Sequence, residues 1–236
     1  LLTRFKNLNA EDRTKAFKKI SEQYYSSKNY SKIENYLTRI DLNDSPNGEH
    51  YEIKSRLSWQ GTLPANATIS FVKTFEDLTK QFKTTNSVFT EKLDFEDSML
   101  ETYFKDERYA QPHLSFSKKD SGKEPELLKG TQTNPGTFTY TNTKCENANI
   151  QLSLRYPFPY GVRMFPLLLR QHRIVGPAKV QFAVNTTKAT RPQVLSMLGD
   201  QNTWTSKYAL GDEISVQIGT TNKTIEGTGL IFTWED

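Results

Sequence analysis

Ile150-Gln151-Leu152-Ser153-Leu154-Arg155-Tyr156 alternates apolar and polar side chains without a break. A period of two marks a half-buried strand, with Ile150, Leu152, Leu154 and Tyr156 inward and Gln151, Ser153 and Arg155 outward. Downstream, Val180, Phe182 and Val184 form another inward row, with Lys179 and Gln181 outside. Both rows fall within residues 147–199, a segment that contains no Asp or Glu in a chain whose charged fraction is 25%. Its cations are Arg155, Arg163, Arg170, Arg173, Lys179, Lys188 and Arg191, with His172 among them. One segment is therefore expected to supply both core and electropositive surface.

Working outward toward the C-terminus, Pro157-Phe158-Pro159-Tyr160-Gly161 must break the first strand. Val162 to Leu169 is apolar but holds Pro166, which makes it an edge or bulged strand. Thr190 to Leu198 reads as a capped helix closed by Gly199. Ile214, Val216 and Ile218 lead to a turn near residues 220–222, and Ile225 to Trp234 returns as the second arm of a hairpin.

Toward the N-terminus, Phe138 and Tyr140 alternate with Thr. Tyr51, Ile53, Leu57 and Trp59 form an inward strand row opposite Glu52, Lys54 and Arg56, and Ile69 to Val72 continues the β pattern. Thr74 caps a short helix through Phe82, and a further helix is expected over Phe95 to Lys105 with its carboxylates outward. Asn9 to Tyr25 has helical spacing, and Ser31-Lys32-Ile33-Glu34 reads as a capping box opening a second helix with Ile33, Leu37 and Ile40 on one face. Residues 111–135 carry the weakest pattern, and Lys118 to Pro125 has the composition of a mobile surface loop.

These readings predict an α+β, mainly β protein: an antiparallel β-sandwich or jelly-roll-like barrel with two or three short helices on its N-terminal side. Residues 1–45 would form a helical hairpin or arm, and residues 46–236 a β-rich domain with a mobile loop near 111–135 that is also a possible sub-boundary.

With 236 residues, 14 Phe and 11 Tyr, the chain is large and aromatic enough to bury a real core despite a hydrophobic fraction of only 35%. A net charge of +4 is mildly basic, so the distribution of charge says more than its total. Acids crowd Glu91 to Glu107 while residues 147–199 hold only cations, which points to a dipolar molecule. The lone Cys145 excludes an internal disulfide and a cysteine-rich zinc site, and fits an intracellular reducing compartment, cytoplasm or nucleus. Sequons at Asn29, Asn43, Asn66, Asn185 and Asn222 would suit a secreted glycoprotein, but a chain rich in Asn, Ser and Thr produces such triplets by chance. No apolar run is long enough for a transmembrane segment.

For function, the acid-free segment leads. Several Lys and Arg on one surface bind a polyanion by releasing its counterions. The expected nucleic-acid-binding residues are Arg155, Arg163, Arg170, His172, Arg173 and Lys179, with Tyr156 and Tyr160 placed to stack bases. This describes a non-enzymatic binding or structural protein for an acidic partner, nucleic acid first, with no cofactor and no metal. A different class is suggested by Asp44, Glu52 and Lys54, whose spacing resembles the D…ExK pattern of the PD-(D/E)xK nucleases. That resemblance implies carboxylates binding Mg²⁺ and a lysine near the attacked phosphate. A third reading is a self-assembling coat or scaffold subunit whose acidic and basic faces meet in a protein partner.

Overall fold

The computed structural model describes residues 31–82, 84–93, 103–105, 111–119, 121–122, 124–168, 172–198, 204–210, 212–218, 224–225 and 229–235. The expected helix over residues 9–25 and most of that over Phe95 to Lys105 lie outside these, although residues 103–105 are helical.

In chain order the strands begin with β1 (Ser31–Asp44), β2 (Tyr51–Leu63) and β3 (Ala67–Val72), followed by helix α1 (Phe75–Phe82) and β4 (Ser87–Lys92). Next come β5 (His113–Lys118), β6 (Glu126–Leu127), β7 (Gly130–Asn134), β8 (Thr137–Tyr140) and the long β9 (Cys145–Phe158). The C-terminal third supplies β10 (Met164–Leu168), β11 (His172–Val175), β12 (Ala178–Asn185) and β13 (Thr190–Leu198). It ends with β14 (Trp204–Leu210), β15 (Glu213–Ile218), β16 (Thr224–Ile225) and β17 (Gly229–Glu235).

Among the described residues the strands form separate sheets and close no barrel. A large one runs β14-β15-β12-β1-β2-β9-β5-β6, and two smaller ones run β10-β17-β13 and β4-β3-β8-β7. The inner face of the large sheet is mostly apolar: Val180, Leu57, Leu152 and Leu114 share one register row with the buried Thr38, and Phe182, Ile40 and Leu154 share the next with the buried Ser55. Both smaller sheets pack on that face. Phe71 of β3 meets Tyr156 of β9 with ring centroids 5.5 Å apart, and Phe232 of β17 stacks on Phe182 of β12 at 4.5 Å.

Ser31 to Asp44 corrects the expectation of a second helix: it is β1, at the centre of the large sheet. Its register with β2 slips between Glu34 and Leu37, and Asn35 there takes φ +53°, a left-handed conformation that Asn tolerates. This bulge resets the alternation, so that Tyr36, Thr38, Ile40 and Leu42 face inward after it. A bulged strand places apolar residues at mixed spacings and mimics a helical stripe. Leu37, assigned by the helical reading to the apolar face, is instead 38% exposed.

Thr190 to Leu198 is also a strand, β13, whose Val194 pairs with Phe232. The terminal hairpin expected between Ile214 and Trp234 is not formed among the described residues: β15 pairs with β12 and β14, whereas β17 joins β10 and β13 in another sheet. Nor is the sheet purely antiparallel, because β1 pairs parallel with β11 and β12, and β3 parallel with β4. Residues 113–118, expected in a loop, pair with β9. Two further readings hold among the described residues: β10 with its Pro166 is an edge strand, and the Thr74 hydroxyl accepts from the Asp77 amide at 3.0 Å to cap α1.

Candidate functional site

Because the inner face is apolar, the outer face of the large sheet is where charge collects. Registered partners project from the same side of a sheet, so the cross-strand register fixes its rows. Arg39 of β1 stands directly opposite Arg56 of β2, and that row continues to Gln181 on one side and to Ser153 and His113 on the other. In the neighbouring row, Lys54 of β2 stands opposite Arg155 of β9, with Asp41 on the far side of Lys54. Lys179 is registered with Leu37, one row beyond Arg39. Two like-charged cross-strand pairs thus sit in adjacent rows over three central strands.

Anions hold part of this cluster in place. Glu52 is 1% exposed, and Arg155 Nη2 donates to both of its oxygens at 3.0 and 2.8 Å, while Lys54 Nζ lies 3.2 Å away. Arg39 Nε donates to Asp41 at 3.1 Å and its Nη2 lies 3.6 Å from Glu213. The cations remain accessible nonetheless, with side-chain exposures of 39% for Arg39, 42% for Lys54 and 41% for Arg155. Arg56 and Lys179 are exposed.

The residues singled out from sequence therefore separate. Arg155 and Lys179 reach the outer face, but they are joined there by Arg39, Lys54 and Arg56 of the N-terminal half rather than by neighbours in the acid-free segment. Arg163 is exposed in the β9–β10 connection, where its carbonyl accepts from the Trp234 amide at 3.4 Å. His172 and Arg173 lie on β11, paired with Ser31 and Lys32 of β1, and Arg170 lies outside the described residues. Tyr156 is 2% exposed and packs on Phe71, so it has no face for a base; burial raises its phenol pKa well above the usual range, with the Glu91 carboxylate adding to the rise.

Tyr160 belongs to a different cluster at the end of the sheet. Its hydroxyl donates to Asp44 at 3.2 Å and accepts from Lys188 Nζ at 2.7 Å, and the same ammonium donates to the Gly48 carbonyl at 3.2 Å. The Lys188 carbonyl accepts from the Tyr51 hydroxyl at 2.9 Å. This ammonium ties three turns together, and sequence reasoning had no means of finding it.

The D…ExK residues are divided by the fold. Glu52 and Lys54 share the outer face as expected, but Asp44 is registered with Tyr51, whose side chain is on the inner face, so the two carboxylates project from opposite sides. Among the described residues no group of three His, Cys, Asp or Glu is placed to hold a metal ion. A cavity of about 330 Å³ lies elsewhere, lined by Trp59, Thr62, Pro64, Asn86, Val88 and Lys144, and includes none of the site residues expected from sequence. No helix among the described residues is long and apolar enough to cross a membrane.

No known protein family matches the chain, and no curated protein does. Among solved structures it is similar to an M1 zinc metallopeptidase from Deinococcus radiodurans, at 9% identity and a TM-score of 0.34, over 87% of this chain and 42% of that one. The chain thus spans under half the length of that relative. It is also similar to the Fcho1 Mu homology domain from Danio rerio with bound Eps15 peptide, at 9% identity and a TM-score of 0.17, over 87% of this chain and 78% of that one. Likenesses this distant carry no argument about function.

Proposed function

We propose that this protein is a non-enzymatic, sandwich-like binding module that takes an acidic partner, nucleic acid, on the outer face of its large sheet. One observation carries the reading: Arg39 faces Arg56, and Lys54 faces Arg155, across adjacent ladders. Like charges directly opposite one another destabilise a sheet by roughly 0.2–1 kcal/mol. Glu52, Asp41 and Glu213 offset part of this charge, and the exposed Arg56 and Lys179 add more to the same face. A phosphate chain laid over the rows would turn that repulsion into attraction and release its counterions. The reading keeps Arg155 and Lys179 as contact residues and adds Arg39, Lys54 and Arg56.

The experiment is a fluorescence-anisotropy titration with labelled RNA and DNA at low and moderate salt. Binding should weaken steeply with salt, and Arg56→Glu combined with Lys179→Glu should abolish it while the protein stays folded by circular dichroism. Salt-insensitive binding, or binding unaffected by the double substitution, would sink the proposal.

A further inference from the structure

The row beside the paired arginines has a different character. Lys179, Leu37, Ser58, Gln151, Ser115 and Leu127 are registered one to the next across β12, β1, β2, β9, β5 and β6. Leu37 and Leu127 are 38% and 64% exposed. Single exposed leucines are ordinary, but these share one polar face and one row. Between them stand only short hydroxyl side chains and one exposed amide. With strands about 4.8 Å apart, the row runs roughly 24 Å from Lys179 to Leu127. The row of Arg39, Arg56 and His113 borders it along one side, about 6.7 Å away.

We infer that this row is the track of one unpaired nucleic-acid strand, lying across the β-strands; the inference rests on the nucleic-acid reading above. The backbone follows the border formed by Arg39 and Arg56, with Lys179 at one end. Bases turn onto Leu37 and Leu127, and their edges meet the Gln151 amide and the Ser58 and Ser115 hydroxyls. Only an unpaired strand offers both surfaces at once. In a duplex the base faces are stacked inside, and a rigid cylinder meets a flat sheet along a narrow line. The track holds about four nucleotides, the low end of single-strand site sizes. No aromatic side chain lies on the row, so stacking contributes little and the contact depends on phosphates for most of its strength. DNA and RNA strands share this chemistry.

The test uses the full chain and labelled oligothymidylates and oligouridylates of increasing length, with a duplex of matching length, between 50 and 200 mM salt (about the range where phosphate contacts dominate). Affinity should rise with length to about four nucleotides and then level off, and should exceed that for the duplex about tenfold. Leu37→Ser with Leu127→Ser should weaken single-strand binding by about tenfold at an unchanged salt slope. Arg56→Ala should reduce the slope of log affinity against log salt by about 0.7. Lys80→Ala, on α1, serves as a charge control and should change nothing. A preference for the DNA or the RNA series supports the track and names its source. Duplex binding as tight as single-strand binding, or an unaffected leucine variant, overturns the track but leaves the polyanion reading in place. Absence of salt-dependent binding to every probe overturns that reading itself.

Discussion

The two faces of β1, β2 and β9 are one residue out of phase and obey different rules. On the inner face, Ile40 and Leu154 flank Ser55, all buried, and the aromatic layer of the small sheets closes over them. On the outer face, one residue along, Arg39, Arg56 and Ser153 share a row. The inner face is explained by folding alone; the outer one works against it locally. Glu52 is the informative exception, an outer-face carboxylate buried as deeply as the core and saturated by Arg155 and Lys54.

The comparison breaks most visibly from the inside. Phe182→Ala removes a fully buried ring stacked on Phe232 and Trp234, and should cost about 3–5 kcal/mol in urea denaturation, enough to unfold a marginal protein. Glu52→Ala comes next. It should lower stability by about 2 kcal/mol, below the usual cost of breaking a buried pair because Arg155 and Lys54 can hydrate. The same variant should bind nucleic acid more tightly, since two cations lose their carboxylate. A loss of both stability and affinity would contradict the division of labour between the faces.

Alkaline titration sharpens the contrast again. Burial raises the phenols of inward-facing Tyr36 and Tyr156 above their ordinary value, with Glu91 adding to the rise in each. A raised folded-state pKa means that the stabilisation is complete below the unfolded value, near pH 10, and falls away as pH climbs toward the folded one. Each phenol should then cost about 1.4 kcal/mol per pH unit. Phenolate absorbance of these tyrosines should appear together with unfolding, not before it. Smallest in stability is Arg56→Glu, which replaces a repulsive ladder pair with an attractive one. It should gain roughly 0.5 kcal/mol while weakening binding, the opposite signature to Phe182→Ala.

Much of the inner face was legible in the sequence, because β2, β9 and β12 alternate over most of their length, with Ser55, Pro157 and Ala183 among the exceptions. What failed had a local cause. A bulge at Asn35 disguised β1, and the adjacent apolar pairs of β13 fit a helical stripe as well as a strand until Val194 is seen beside Phe232. The candidate site was legible only in half. Arg155 and Lys179 follow from alternation, whereas Arg39 and Arg56 join them through strand register, which no local pattern encodes. Tyr156 shows the converse error: an aromatic next to Arg155 in sequence points to the opposite side of the sheet from it.

The parallel pairing of β1 with β12 has a consequence for how the chain is made. Residues Leu37 to Asn43 find their partners Lys179 to Asn185 only after the long stretch between them has left the ribosome. Until then the nascent sheet can assemble β1, β2, β5 and β9, but one flank of β1 stays open and ready to zip with a neighbouring copy. Yield on expression should therefore depend on crowding and chaperone supply more than the stability of the finished protein would indicate.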